Sequence, residues 1–147
     1  MPRILVTGMS GAGKSTLLDA LATRGYLTVD TDYDDWTVAE GLWDLPRMRA
    51  LLEQTPSIVV SGTFENQAEA YDLFDHIVLL SAPVEVYLER VRSRTNNPYG
   101  KSAEQEAEIR VFTRDVEPLL RNGATLELDA SRPIADLTAE LELLLTN

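Results

Sequence analysis

The sequence predicts an α/β fold in which a five-stranded parallel sheet is covered by helices on both faces. Short apolar segments alternate with longer segments of helical periodicity five times along the 147 residues. The apolar segments lack the alternation of apolar and polar residues, which is typical of strands buried on both faces. No repeat, low-complexity tract or linker divides the chain, so we expect residues 1–147 to form a single domain.

The first half of the chain is predicted to contain three strands and three helices. The strands are short apolar runs, whereas the first helix aligns Leu17, Leu18 and Leu21 on one face. Asn66 is the expected N-cap of the third helix. The predicted strands are 4–7, 27–29 and 58–60, and the predicted helices are 14–23, 42–54 and 66–74.

The second half is predicted to contain two strands and three helices. Pro83 opens the first of these helices, because proline is favoured in the first helical turn, and Gly123 is a stop signal after a long helix. A loop is expected over 96–100, where asparagine, proline and glycine are concentrated. The predicted strands are 77–80 and 125–128, and the other two predicted helices are 102–121 and 133–145.

Composition and charge exclude several classes of protein. The chain has no cysteine, so a disulfide scaffold, a thiolate metal site and a cysteine nucleophile are excluded. Thirteen basic and 24 acidic residues give a formal net charge of −11, which disfavours nucleic acid and anionic membranes as partners. No apolar run reaches the roughly 18 residues of a membrane span or follows the pattern of a signal peptide. We therefore expect a cytoplasmic protein that is a monomer or a weak dimer.

A glycine-rich motif lies between the first predicted strand and the first predicted helix. Its sequence, G-M-S-G-A-G-K-S over 8–15, matches G-x-x-x-x-G-K-[ST] at every fixed position. Glycines let successive backbone N–H groups face a phosphate, and the following helix points its positive end at the same place. The motif predicts a nucleoside triphosphate with Mg²⁺, in which Lys14 reaches the β- and γ-phosphates and the Ser15 hydroxyl ligates the metal. The predicted nucleotide-binding residues here are Gly8, Ser10, Gly11, Ala12, Gly13, Lys14, Ser15 and Thr16.

Two aspartates, Asp30 and Asp32, follow the second predicted strand. Ligands of open α/β sheets bind beyond the carboxyl ends of the strands, so both carboxylates are expected beside the glycine-rich loop. One can hold Mg²⁺ through water, and the other can accept a proton from an acceptor hydroxyl as it attacks the γ-phosphate. The alternative is a solvated acidic turn, because Asp34 and Asp35 follow at once.

The glycine-rich motif and the Asp30-Thr31-Asp32 segment together resemble the small P-loop kinases, which include shikimate, gluconate and adenylate kinases. The similarity is closest to shikimate kinase, where an Asp-x-Asp follows the second strand. It implies a three-layer P-loop NTPase fold with strand order 2-3-1-4-5, ATP and Mg²⁺ as cofactors, and a small-molecule acceptor. It also implies that Asp30 supports the metal together with Ser15, and that Asp32 meets the acceptor hydroxyl.

One segment departs from the family pattern. Shikimate kinases carry a glycine triplet after the third strand, whereas this chain has Ser61-Gly62-Thr63 there. Adenylate kinases carry an aspartate at the position of Ser61. The resemblance therefore leaves the identity of the acceptor open.

Four arginines follow the fourth predicted strand in pairs that share a helix face. Arg90 and Arg94 are four residues apart on the helix before the 96–100 loop. The resemblance implies that Arg90 lies near the adenine, that Arg94 reaches the phosphates, and that a lid over 94–103 closes above them. Arg110 and Arg114 share a face of the next helix, where the family uses an arginine on the transferring phosphoryl group; Arg114 is our candidate. The alternative for all four is a surface ion pair with Glu89, Glu106 or Asp115.

The segment 33–56 lies where this superfamily binds the acceptor. Arg47 and Arg49 are candidates for binding an anionic acceptor, and the nearby aromatic residues either line its pocket or cover the core. Glu65, at the end of the third strand, is a candidate acceptor contact and a second candidate for the base, or it belongs to a helix cap. The family also implies that the loop 129–133 passes the adenine, which makes Arg132 a nucleotide-binding candidate.

These features predict an ATP-dependent phosphotransferase that moves the γ-phosphoryl group to a hydroxyl or phosphate of a small molecule. The alternative is a regulatory nucleotide-binding ATPase, a switch that acts on a protein partner. A second carboxylate and a lid are needed for phosphoryl transfer and not for a simple switch.

Overall fold

A parallel sheet lies at the centre of the part of the chain that the structure describes. The structure is a computed structural model, and it describes residues 2–95 and 98–146. The strands are β1 (Arg3–Gly8), β2 (Thr28–Asp30), β3 (Thr37–Ala39), β4 (Leu42–Trp43), β5 (Ile58–Ser61), β6 (His76–Ser81) and β7 (Leu126–Asp129). The helices are α1 (Lys14–Thr23), α2 (Leu45–Gln54), α3 (Val84–Ser93), α4 (Ala103–Asp115), α5 (Glu117–Gly123) and α6 (Ile134–Thr146), and a short 3-10 helix spans Gln67–Leu73.

The main sheet has the order β2-β5-β1-β6-β7, and each neighbouring pair is parallel. Counted in chain order within that sheet, the strands follow the order 2-3-1-4-5. The predicted fold class and strand order are therefore confirmed. Strands β3 and β4 form a separate antiparallel pair.

The central strand β1 is buried on both faces. Ile4 and Val6 belong to a large apolar cluster that includes side chains of α1, α3 and α6, whereas Leu5 belongs to a smaller cluster with α2. This explains why the strand shows no polar alternation in the sequence. Among residues 2–95 and 98–146, no helix is both long and apolar enough to span a bilayer.

The strand order brings three chain segments to one edge of the sheet. Neighbours β1, β5 and β2 run parallel, so their carboxyl ends meet there. The segments that leave them are the glycine-rich loop after Gly8, the acidic turn after Asp30 and the turn after Ser61. The topology therefore positions the residues from which the candidate site is built.

The helix predicted over 42–54 begins later, at Leu45. Asp44 is its N-cap, since the Asp44 carboxylate accepts a hydrogen bond of 3.2 Å from the Arg47 backbone N–H, and Pro46 occupies the first turn. The preceding residues form the β3–β4 hairpin, in which Thr37 pairs with Trp43. The aspartate and proline are recognisable start signals, so the prediction placed the helix start too early.

The long helix predicted over 102–121 is interrupted at Val116. Helix α4 ends at Asp115 and α5 starts at Glu117, with Pro118 in its first turn. Proline lacks the N–H that would continue the ladder, and its ring clashes with the carbonyl of the preceding turn. Val116 itself keeps right-handed helical dihedral angles, so the interruption is a single residue between the two helices.

The predicted cap at Asn66 is also wrong. A 3-10 helix follows Asn66, but the Asn66 side chain makes no cap hydrogen bond. Its amide accepts from the Trp43 N–H at 2.9 Å and donates to the Trp43 carbonyl at 3.0 Å. Asn66 thus ties the β3–β4 hairpin to the turn after β5.

Candidate active site

The glycine-rich loop joins β1 to α1 at the carboxyl edge of the sheet. Gly11 has φ +87°, and a Cβ built there would lie 2.6 Å from the Tyr87 carbonyl oxygen. Only glycine fits this close approach of the loop to α3. The loop, α1 and the turns after β2 and β5 line a cleft of about 950 Å³, a volume typical of small-molecule sites.

Lys14 lies inside the curve of the loop. Its ammonium donates to the Gly8 carbonyl at 2.7 Å and to the Met9 carbonyl at 3.2 Å. Burial lowers the pKa of Lys14, while the nearby carboxylates of Asp32 and Asp30 oppose this decrease. The loop thus holds a desolvated cation at the position where a phosphate would be neutralised.

Ser15 and Asp30 form an oxygen pair beside the loop. The Ser15 hydroxyl donates to one Asp30 carboxylate oxygen at 2.6 Å, and the other accepts from the Asp32 N–H at 3.1 Å. Mg²⁺ in nucleotide sites takes few protein oxygens and completes its shell with phosphates and water. The pair fits that donor set.

Ser61 adds a buried hydroxyl on the same side of the sheet. It pairs with Asp30 in the β2–β5 register, and directly paired residues project from one face. Ser61 is 1% exposed, and its hydroxyl oxygen has no hydrogen-bond partner among the described residues. An unsatisfied buried hydroxyl beside Asp30 fits a site that receives further polar groups.

Asp32 lines the cleft close enough to Lys14 and Asp30 for their charges to act on it. Burial raises the pKa of Asp32, and Asp30 raises it further, whereas Lys14 lowers it. A carboxylate whose charged form is disfavoured is a better proton acceptor than an ordinary aspartate. The structure therefore brings Lys14, Ser15 and Asp32 into the lining of one cleft, and Asp30 is hydrogen-bonded to Ser15 beside them.

Thr63 is a site residue that the sequence analysis did not single out. Its hydroxyl donates to the Gly8 carbonyl at 2.5 Å and lies 3.2 Å from the Gly8 N–H, which donates to it. These contacts fix the start of the glycine-rich loop against the turn after β5. The signal was its position directly after a buried strand at the ligand edge, where polar residues commonly serve the site.

Arg90 joins the loop to the segment after β7. Its guanidinium donates to the carbonyls of Gly11 at 3.4 Å, Ala12 at 3.2 Å and Ala130 at 2.6 Å. Arg90 also lines a smaller pocket of about 190 Å³. The predicted nucleotide residues that share this pocket with it are Ala12, Gly13, Thr16 and Arg132.

Arg94 and Tyr99, from the described part of the predicted lid, line the cleft. Burial lowers the pKa of Arg94, and its guanidinium donates to the Tyr99 carbonyl at 2.8 Å. Gly100 is buried against α3 and α4, and its N–H donates to the Gln105 side chain at 2.8 Å. Asn96 and Asn97, which the lid prediction includes, lie outside the described residues.

Arg47, Arg49 and Arg114 do not line the cleft. Arg47 stacks 3.8 Å above the Trp36 ring and donates to the carbonyls of the acidic turn. Arg49 pairs with Asp72, and Arg114 with its neighbour Asp115. Arg114 therefore forms a surface ion pair, which was the alternative to a phosphoryl contact. Among the candidate acceptor contacts, Glu65 does line the cleft.

The outer part of the cleft contains apolar and acidic side chains that the sequence analysis mostly missed. Both α4 and α5 contribute to its wall, together with Val116 between them. Phe112 in this wall is 51% exposed. The additional lining residues are Tyr33, Glu40, Gly41, Phe64, Tyr99, Ile109, Phe112, Val116 and Leu120.

Known proteins share this sequence pattern and architecture. Residues 4–110 match a family model described as an AAA domain. A nucleotide-binding protein of Thermotoga neapolitana is 31% identical over 128 residues, which cover 84% of this chain and 39% of that protein. The chain therefore spans about two-fifths of the length of that relative.

Solved structures of small kinases have the same fold. The shikimate kinase of Acinetobacter baumannii, solved in complex with shikimate, is 25% identical with a TM-score of 0.72, covering 100% of this chain and 94% of that one. The deoxyadenosine kinase of M. mycoides with bound dATP is 16% identical with a TM-score of 0.67, covering 100% of both chains. The second likeness concerns the fold alone.

Proposed function

The chain belongs to the AAA domain family, and on that premise we propose that it is an ATP-dependent phosphotransferase. It moves the γ-phosphoryl group of ATP to a hydroxyl or phosphate group of a small molecule. The observation that carries this proposal is the cleft lined by the phosphate loop, Ser15 and the Asp32 carboxylate, with Asp30 hydrogen-bonded to Ser15 behind it. A nucleotide-binding module without transfer has no need of Asp32 beside the phosphate end.

The loop and Lys14 bind the triphosphate. The N-terminal end of α1 and the loop N–H groups face the phosphate position, and Lys14 neutralises charge on the β- and γ-oxygens. Ser15 and Asp30 would hold Mg²⁺, which when bound neutralises phosphate charge and orients the triphosphate. Arg94, half-buried at the cleft, is the better candidate for a phosphoryl contact than Arg114, which lies outside it.

Asp32 is the candidate base. It accepts the proton of the acceptor hydroxyl as the new oxygen–phosphorus bond forms, while the bond between the γ-phosphorus and the bridging oxygen breaks and ADP leaves. The raised pKa of Asp32 brings its proton affinity closer to that of the group it must deprotonate. Glu65 also lines the cleft and is the second candidate.

The experiment that tests this function is a transfer assay preceded by binding. ATP and Mg²⁺ binding is measured by calorimetry, and a library of hydroxylated metabolites is then screened for acceptor-dependent ADP formation. Acceptor-dependent turnover by the wild type and its loss in Lys14→Ala support the proposal. ATP binding with hydrolysis that no acceptor stimulates contradicts it.

A second candidate, a regulatory nucleotide-binding ATPase, is favoured by the Thermotoga relative, a longer protein named only for nucleotide binding. Such a switch hydrolyses ATP without a small acceptor. Its activity would depend on Lys14 and Ser15 and would be insensitive to Asp32→Asn, so that variant separates the two functions.

A further inference from the structure

The charged residues that line the cleft are divided by sign. The basic ones, Lys14, Arg90 and Arg94, lie at the phosphate end. Lys14 and Arg90 contact carbonyls of the glycine-rich loop, and the charge of Arg94 acts on Lys14. These cations match the charge of a triphosphate.

The other charged lining residues are acidic. Asp32 follows β2, Glu40 lies in the β3–β4 turn and Glu65 follows β5, so three separate segments each contribute a carboxylate. The hairpin turn is fixed against the third segment, because the Glu65 N–H donates to the Gly41 carbonyl at 2.9 Å. The three carboxylates therefore give a negative charge to the side of the cleft formed by the turns after β2 and β5 and by the β3–β4 turn.

The two arginines of the acceptor segment do not offset this negative charge. Arg47 is held between the Trp36 ring and the backbone carbonyls of Asp34 and Asp35. Arg49 makes a two-pronged contact with Asp72, at 3.0 and 3.2 Å, and also donates to the Glu69 carbonyl. Neither arginine lines the cleft and both guanidinium groups are engaged in these contacts, so neither is placed to bind a carboxylate on an acceptor.

The cleft also offers an apolar surface. Phe64 from the β5 turn and Phe112 from α4 line it, and Phe112 keeps half of its surface exposed. Exposed aromatic rings in a concave site commonly contact an apolar part of a ligand. The remaining members of this surface are Ile109, Val116 and Leu120.

Building on the proposed kinase function, we propose that the acceptor is a hydroxylated amine with an apolar part, and that the cleft discriminates against carboxylated acceptors. The cleft and its phosphate loop define the site, and the three carboxylates set its charge selectivity. The ammonium group faces Glu40 and Glu65, the apolar part contacts the Phe64–Phe112 surface, and the hydroxyl meets Asp32. Anionic acceptors are repelled by the same carboxylates.

Three small probes test the charge preference without requiring turnover. 2-Amino-1-phenylethanol, 1-phenyl-1,2-ethanediol and mandelate share a phenyl ring and a benzylic hydroxyl but are cationic, neutral and anionic. Their dissociation constants are measured by NMR titration of the full chain saturated with Mg²⁺ and a non-hydrolysable ATP analogue. We expect the amine to bind about threefold to tenfold more tightly than the diol, and mandelate to bind more weakly than the diol.

Two matched double variants assign the preference to the cleft. Glu40→Gln/Glu65→Gln removes two charges from the lining and should reduce the amine-to-mandelate affinity ratio by about threefold to tenfold. Glu53→Gln/Glu104→Gln removes the same charge from exposed positions outside the lining and should leave the ratio unchanged. The control separates a local effect from the change in net charge.

Failure of this inference is distinguishable from failure of the kinase function. The acceptor class is overturned if mandelate binds as tightly as the amine or if the amine does not bind at millimolar concentration. It is also overturned if Glu40→Gln/Glu65→Gln leaves the amine-to-mandelate affinity ratio unchanged. Phosphorylation of a carboxylic acid in the metabolite screen overturns it too and leaves the kinase function intact. If the wild-type protein neither binds ATP nor transfers its phosphoryl group, the kinase function is overturned, and the acceptor class is overturned with it.

Discussion

Lys14 and Lys101 are the two lysines of the chain, and they offer a matched pair of charge deletions. Lys14→Ala should reduce transfer by about 10² to 10³, the usual effect of removing one preorganised donor at a developing charge. The free protein should stay folded, because burial lowers the pKa of Lys14 and its charged form is disfavoured before ATP binds. Transfer rates and a thermal melt measure these two effects, and calorimetry measures ATP affinity for comparison with the control variant.

The control is Lys101→Ala. Lys101 donates to the Arg94 carbonyl and is not part of the cleft lining. The Lys101→Ala substitution removes the same formal charge as Lys14→Ala but leaves the cleft lining intact, so ATP affinity should change little. Equal losses of ATP affinity in the two variants would mean that net charge, and not the phosphate loop, governs binding.

Substitutions of Asp32 and Asp30 should distinguish base catalysis from metal binding. Asp32→Asn should lower transfer by about 10² to 10⁴ with ATP affinity nearly intact, whereas Asp30→Asn should raise the Mg²⁺ concentration needed for activity. A base works when deprotonated, and burial raises the pKa of Asp32. Wild-type transfer should therefore fall as pH decreases through that raised pKa, above the range of an ordinary aspartate.

In Asp32→Asn the residual transfer should lose this acidic limb. The pH profiles of the wild type and both aspartate variants are the measurement. Full transfer by Asp32→Asn to a genuine acceptor would exclude it as the base, and Glu65 would then be tested in the same way.

Arginine roles illustrate the limit of sequence spacing at the residue scale. Arg90 and Arg94 were predicted to share a face of one helix; α3 ends at Ser93 and Arg94 is its C-cap, but both side chains line the cleft. Arg110 and Arg114 have the same spacing, but the spacing does not determine which partner each long side chain contacts. Arg110 pairs with Glu85 on another helix, and Arg114 with Asp115 next to it. The partner of an arginine depends on its tertiary neighbours and its rotamer, and neither can be predicted from the spacing of residues in the sequence.

Among the elements, the turn after β5 supports the phosphate loop through Thr63. Thr63→Val keeps the shape but leaves the Gly8 N–H without its hydroxyl acceptor. We expect a loss of about 1–2 kcal/mol of stability and a several-fold weaker ATP affinity, because the loop start is no longer fixed. Denaturant unfolding and calorimetry measure both quantities.

Thr63→Ser retains the hydroxyl and is the control. It should keep most of the ATP affinity, since the contacts to Gly8 involve the hydroxyl oxygen. Weaker ATP binding by Thr63→Ser than by Thr63→Val would mean that packing of the methyl group, and not the hydroxyl hydrogen bonds, supports the loop.

Packing of the segment 98–102 onto α3 and α4 depends on Gly100. A Cβ at Gly100 would lie 2.0 Å from the Val91 side chain and 3.0 Å from the Ile109 side chain, and φ is +92°. Gly100→Ala should therefore destabilise the protein by about 2–4 kcal/mol through overpacking and backbone strain. Gly25→Ala is the matched control, because φ there is +94° and no atom lies within 4 Å.

The control variant reports backbone strain alone, and the difference between the two unfolding free energies reports packing. We also expect weaker ATP binding for Gly100→Ala, since Tyr99 and Arg94 border the cleft. Equal destabilisation by both alanines would show that the segment is not held by this contact.

At the element scale the strands were predicted better than the segments between them. Buried parallel strands have a strong apolar signal, so all five main-sheet strands were found within about one residue at either end. The β3–β4 hairpin was missed because β3 is exposed and β4 has only two residues, so neither strand shows that signal. The helix break at Val116 was missed because apolar periodicity continues across it, although Pro118 is a breaker.

The molecule as a whole should be stabilised by ATP with Mg²⁺. A ligand at 100 times its dissociation constant adds about 2.7 kcal/mol, which for a domain of this size raises Tm by roughly 5–10 °C. The shift should shrink when EDTA removes the metal and should disappear in Lys14→Ala. A shift of equal size in that variant would place the nucleotide away from the phosphate loop.

The two faces of the sheet have separate apolar clusters, and this has a spectroscopic consequence. Both tryptophans of the chain, Trp36 and Trp43, belong to the smaller cluster beside α2, and neither belongs to the larger one around α1 and α6. Intrinsic fluorescence is therefore a local probe of the face covered by α2, whereas far-UV circular dichroism averages over all helices. Coincident denaturation curves from the two signals would mean that both faces unfold as one unit, and a fluorescence change at lower denaturant would mean that the face covered by α2 opens first.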